Sequence, residues 1–160
     1  MHQAVIDYVA HHLPDFPGDV LDVGGRDING TPRWLFENAD SYRVVDLHEG
    51  DNVDVVGDIT ALGLSGVADT VLCLEVLEHA DNWRDIVAAC VAACRPGGTV
   101  IVTAAGPGRE PHSAIDGGPV RDGEWYGNVT AVGLAEAFGD VGGVVVTRER
   151  GEDVQGVAWL

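Results

Sequence analysis

Apolar residues change their spacing several times along this chain of 160 residues, and each change marks an element. Ala4, Val5, Tyr8, Val9 and His12 recur at helical spacing, so residues 3–12 are predicted as an amphipathic helix within an N-terminal segment 1–14. Pro14, Pro17 and Gly18 end it. A short apolar run at 20–23 reads as a first strand and leads into the adjacent Gly24 and Gly25. Thr31 and Pro32 look like the cap and first residue of a short helix reaching about residue 38. Strands follow at 41–45, ending at Asp46, and at 53–56, ending before Gly57 and Asp58. Residues 60–66 carry only weak signals. The unbroken apolar run 68–74 reads as a strand covered on both faces.

Asn82, with Asp85 three residues on, resembles a capping box. Behind it, Trp83, Ile86, Val87, Cys90, Val91 and Cys94 form one helical stripe. Arg95, Pro96, Gly97 and Gly98 stop that helix, and 99–104 is the next strand. Residues 105–128 are rich in glycine and proline and form a long loop of the kind that carries function. Thr130 caps a helix through Phe138, with Ala131, Leu134, Ala135 and Phe138 inward. Two closing strands, 144–150 and 155–160, form an antiparallel hairpin. The alternation of strands and helices predicts a single α/β domain over 1–160, Rossmann-like and doubly wound, its sheet mainly parallel.

Composition narrows the chemistry. At 46% hydrophobic residues the chain can bury a core. Its net charge is −17, and every basic residue other than histidine is arginine. Such a surface repels phosphate backbones and speaks against a nucleic-acid partner. No apolar run is long enough for a membrane span and no secretion signal is visible, so a cytoplasmic protein is expected. Cys73, Cys90 and Cys94 lack paired zinc-ligand spacing and are expected as buried thiols. The chain does not reveal its oligomeric state.

Strand-end acids repeat: Asp22 before the glycine pair, then Asp46, then Asp58. With the segments VLDVGG (20–25), YRVVD (42–46), GDI (57–59), DTVLCLEVLEH (69–79) and CRPGGTVIVT (94–103), in that order, the chain resembles the class I S-adenosylmethionine-dependent methyltransferases, and within them the methyltransferase type 11 group. The resemblance implies a seven-stranded sheet with an antiparallel last strand, which agrees with the closing hairpin. It implies S-adenosylmethionine as cofactor, with Gly24 and Gly25 admitting it closely, Asp22 facing its ammonium, Asp46 at the ribose, Asp58 and Ile59 at the adenine, Leu74 and Glu75 along the methionine part, and Leu47 among the cofactor-binding residues. The first loop departs from the family's acid-x-Gly-x-Gly-x-Gly turn, since Arg26 replaces a glycine, and Asp27 is a candidate to compensate.

The implied reaction is methyl transfer to oxygen or nitrogen of a small-molecule acceptor. It needs alignment and at most one base. The base candidates are His112 in the loop after the fifth strand, then His79 and Asp116, with Trp125 and Tyr126 as a lid, as acceptor-stacking groups or as loop packing. Glu75, Glu78, His79 and His112 also resemble the metal site of small-RNA 2′-O-methyltransferases, an alternative in which a divalent ion activates a hydroxyl. A non-catalytic cofactor- or partner-binding module is a further alternative. A nicotinamide oxidoreductase is disfavoured because Gly-x-Gly-x-x-Gly is absent after the first strand.

Overall fold

A computed structural model describes residues 2–160. Seven strands form one sheet in the order β3-β2-β1-β4-β5-β7-β6. They are β1 (Asp19–Val23), β2 (Ser41–Asp46), β3 (Val55–Val56), β4 (Ala68–Leu74), β5 (Cys94–Ala105), β6 (Val144–Arg150) and β7 (Asp153–Trp159). β3, β2, β1, β4 and β5 are mutually parallel, and β7 enters antiparallel to β5 and to β6. The chain winds outward from β1 to β3, then returns to place β4 on β1's other side. That reversal opens a crevice at the carboxyl ends of β1 and β4, where α/β sheets hold their ligands.

Side-chain alternation divides the core between the two faces. Val71 and Cys73 of β4 face a cluster with Trp83, Ile86, Val87 and Cys90 of α2 (Trp83–Ala93) and Leu134 and Phe138 of α3 (Ala131–Phe138). Leu72 and Leu74 face the other way, onto Val5, Tyr8 and Val9 of α1 (Gln3–His12) and onto Phe36. At Gly156 of β7 an added Cβ would lie 2.8 Å from Leu134, so the bare backbone there lets α3 pack closely.

Several expectations change. β3 covers only Val55–Val56 of the expected 53–56. The helix after the glycine turn is a single 3-10 turn, Arg33–Phe36, with only Phe36 buried and Trp34 exposed. One buried aromatic anchors one turn and no more. Asn82 precedes α2 with φ −91° and ψ 24°, outside the extended range that aims a capping side chain, and makes no side-chain cap bond. Cys94 belongs to β5 rather than to the helix, and Ala135 points to solvent while Gly133 takes the inward place. Thr130 caps α3 as expected, its hydroxyl accepting from the Gly133 amide at 3.0 Å.

Candidate active site

A cavity of about 440 Å³ lies over the ends of β1, β2 and β4, bounded on its far side by residues 112–115 and Gly117 of the long loop. Asp22, Gly24, Gly25, Asp46, Leu47, Asp58, Ile59, Leu74, Glu75, His79 and His112 all line it. Asp27 and Asp116 do not. A second depression, beside Thr31, Arg33, Trp34 and Tyr42, opens more widely and lacks the strand-end acids.

The glycine turn is fixed by protein atoms. Gly24 has φ +72°, and a Cβ there would collide with Val76 across the crevice. A Cβ on Gly25 would collide with the Asp22 carboxylate. Asp22 is 2% exposed and accepts from the Tyr42 hydroxyl at 2.6 Å. Burial pushes its carboxyl up to about 6, against the opposing effect of the Tyr42 bond. Tyr42 had no assigned role in the sequence. The signal was its place on the strand that neighbours β1.

Asp46 meets Arg26, the residue standing where a glycine is usual. The Arg26 amide donates to Oδ2 at 3.3 Å, the His48 amide donates to Oδ1 at 2.9 Å, and Arg26 Nε lies 3.9 Å from Oδ1. Each oxygen keeps a lone pair after these bonds. Asp58 closes a tight turn by accepting from the Thr60 amide at 2.9 Å and hydroxyl at 2.8 Å, both on Oδ1, while the residue also lines the cavity. Ile59 is buried beneath it and Leu47 stands exposed on the rim. Asp27 serves its own loop, accepting from the Gly30 amide at 2.8 Å, and is not brought to the crevice.

Glu75 follows β4 with φ 58°, the one residue other than glycine at positive φ among the described residues. That conformation costs of order 1–3 kcal/mol and persists only where neighbours over-determine it. Its carboxylate accepts from the Thr103 hydroxyl at 2.9 Å and faces His2 Nε2 at 3.3 Å. Burial raises its pKa, but those two bonds together with the charges of His2 and Arg109 outweigh burial and hold it below the ordinary value.

His79, His112 and Tyr126 pack ring edge to ring face, with centroids 5.0, 5.1 and 5.6 Å apart. Burial, reinforced by His112, lowers the His79 pKa to about 4, so that ring is neutral at ordinary pH. His112 Nδ1 lies 3.2 Å from the Glu110 carbonyl oxygen. A carbonyl accepts only, so Nδ1 carries the hydrogen in that bond and Nε2 of the neutral ring keeps a basic lone pair. Asp116 instead pairs with Arg121 and accepts from the Gly118 amide. The amide first and the guanidinium next hold its pKa low, which makes it a poor base. Trp125 folds over Gly127, while Tyr126 joins the two histidines.

The four-residue metal set divides in two. Glu78, His79 and His112 bring their ligand atoms within 4.8 Å of one another, whereas Glu75 lies in a separate group with His2 and Asp153. Glu78 is fully buried, both its oxygens lack well-formed hydrogen bonds, and burial with the nearby Glu75 charge pushes its pKa up to about 8.

A seven-stranded sheet in this order, closed by an antiparallel β7, defines the Rossmann-like class I methyltransferase fold. Residues 34–102 of this chain match the model of a methyltransferase domain family. The ubiquinone biosynthesis O-methyltransferase of Burkholderia multivorans is 38% identical over 89 residues, which is 52% of this chain and 38% of that protein. Its counterpart in Erwinia tasmaniensis is 32% identical over 115 residues, or 59% of this chain and 46% of the relative. The matches thus span less than half the length of these relatives. Among solved structures, the 1,6-didemethyltoxoflavin-N1-methyltransferase of Burkholderia thailandensis, with bound 1,6-didemethyltoxoflavin and S-adenosylhomocysteine, superposes with a TM-score of 0.70 at 17% identity, covering 98% of this chain and 76% of that one. An S-adenosylmethionine-dependent methyltransferase of Mesorhizobium loti gives 0.68 at 17%, covering 97% and 100%. Among the described residues no helix is long and apolar enough to cross a membrane.

Proposed function

We propose that this domain binds S-adenosylmethionine in the crevice and methylates an oxygen or nitrogen of a small-molecule acceptor. The observation that carries the reading is the convergence of Asp22, Asp46 and Asp58 around one cavity at the sheet's switch point. The donor chemistry fits: Asp46 keeps a lone pair on each oxygen for two ribose hydroxyls, and Asp58 has carboxylate capacity left for the adenine amino group. Ile59 would pack on the adenine, Asp22 would meet the ammonium, Leu74 and Glu75 would line the methionine part, and Leu47 stands on the rim of the same cavity. The Burkholderia thailandensis neighbour, which holds a small heterocycle beside S-adenosylhomocysteine, supports a small acceptor.

The cofactor supplies a methyl group on a sulfonium, whose departure as a neutral thioether makes the displacement easy. The chain's residues then orient the acceptor and hold its proton. His112, its hydrogen directed at Glu110, presents Nε2 as the proton acceptor. His79 and Tyr126 fix the position of the His112 ring and keep water from one side of it. Titration calorimetry with S-adenosylhomocysteine tests the first half of the proposal. Asp46→Ala is expected to weaken binding by roughly 1.5–3 kcal/mol, the range for hydrogen bonds to a charged group. A folded variant with unchanged affinity counts against the ribose role. His112→Ala is expected to lose turnover with cofactor affinity retained, and intact turnover removes it as base.

One observation favours a second reading. The Glu78, His79 and His112 cluster suits a divalent ion that activates a hydroxyl acceptor. Under that reading chelator abolishes turnover and manganese or zinc restores it.

A further inference from the structure

The N-terminal end of α1 reaches the rim of the cavity. α1 runs along the length of β7: His2 sits beside Asp153 at the start of β7, and His12 packs on Trp159 at the end of it. Beside His2 lies Glu75, whose left-handed backbone an L side chain adopts only under constraint. The constraint comes from three distant segments. The Glu75 amide donates to the Thr103 carbonyl oxygen at 2.8 Å, and Thr103 returns its hydroxyl to Oε1 at 2.9 Å. Oε2 faces His2 Nε2 at 3.3 Å and Arg109 Nη2 at 3.8 Å. Arg109 is itself anchored on Asp153, Nη1 to Oδ1 at 2.7 Å, and His2 Nε2 lies 3.6 Å from that same oxygen. Leu74, Glu75 and Val76 line the cavity, while His2, Arg109 and Asp153 do not. The side chains of these outer residues meet the cavity lining at Glu75.

We propose that His2 and Arg109 are positioning residues for the amino-acid end of the bound cofactor, holding Glu75 and the backbone on either side of it in the shape that end requires. The proposal rests on the reading of the crevice as the S-adenosylmethionine site. It divides that site into two separately supported halves. The adenosine half stands on Asp46 and Asp58, which make none of these contacts. The amino-acid half stands on a clasp formed by the α1 terminus, the long loop and β7.

The division can be measured with two ligands. S-adenosylhomocysteine carries both parts, and 5′-methylthioadenosine carries the adenosine and thioether without the amino acid. In calorimetry of the full chain, His2→Ala and Arg109→Ala are expected to weaken S-adenosylhomocysteine about ten-fold, the equivalent of one good hydrogen bond. Affinity for 5′-methylthioadenosine stays within about two-fold, since the removed groups act on the other half alone. His2→Gln, which can still donate to Oε2, recovers most of the loss. If Arg109→Ala does not fold, Thr103→Val removes one bond to Glu75 without touching α1 and gives the same selective loss. Unchanged S-adenosylhomocysteine affinity in these variants overturns the proposal while leaving the cofactor reading intact. An equal loss of both ligands also overturns it, because that is general loosening. A wild-type chain that binds neither ligand removes the cofactor reading and the clasp's role with it.

Discussion

At the scale of single residues, the site is organised by one buried acid. The Asp22 carboxylate excludes a side chain from position 25 and draws in the Tyr42 hydroxyl. Tyr42→Phe leaves that carboxylate buried without its partner, a loss of about 1–3 kcal/mol that urea denaturation will register. Asp22 also imposes a pH dependence. Folded, it holds its proton up to about pH 6; at its ordinary value it loses it near 3.8. Folding therefore takes up a proton between those values, and this group alone makes the fold more stable as pH falls across that window. Asp22→Asn removes the slope, which thermal melts between pH 4 and 6 will show. The strand-end acids and the glycine pair were legible in the sequence because their signals are local. The reasons for the glycines were not, since the atoms that exclude a Cβ belong to Asp22 and to Val76, in the turn that follows β4. Asp27 does not line the cavity and accepts a bond from the Gly30 amide three residues on, within its own loop.

At the scale of elements, periodicity was a good guide wherever a segment buries a full stripe. β4 and α1 have the bounds read from the sequence, and the closing hairpin forms as expected. Segments with one or two anchors fell short: β3 shrinks to Val55–Val56, and the helix before β2 to one 3-10 turn. Two similar-looking helix starts differ in energy. Thr130 has extended backbone, φ −98° and ψ 154°, and its hydroxyl reaches the Gly133 amide. Thr130→Ala is expected to cost about 1 kcal/mol. Asn82 has no such bond, so Asn82→Ala should leave the unfolding midpoint nearly unchanged. Equal losses in the two variants, measured in the same denaturant series, would contradict this assignment of caps.

For the whole molecule, the mainly parallel sheet closed by an antiparallel hairpin followed from the strand and helix alternation, but the clasp at Glu75 did not. Its contacts join residues 73 and 107 positions apart, beyond the reach of any local pattern. The bond to Glu75 raises the His2 pKa, with the charge of Asp153 adding to it and burial and Arg109 opposing. A raised histidine contributes stability that is full below its ordinary value of 6.5 and is lost as pH rises through the folded value. Glu75, lowered by the same contact, contributes above its ordinary 4.5 and loses that as pH falls through the folded value. The stability difference between wild type and His2→Ala should therefore be greatest from about pH 5 to 6.5 and vanish in alkali, as melting temperatures across that range will test.

The burial of Cys73, Cys90 and Cys94 between the sheet and α2 has a practical consequence. A chromogenic disulfide reagent meets no thiol on the closed molecule and three on the opened one. The rate at which its colour develops is then a clock for how often the α2 side of the sheet lifts, and any ligand that tightens the fold should slow that clock.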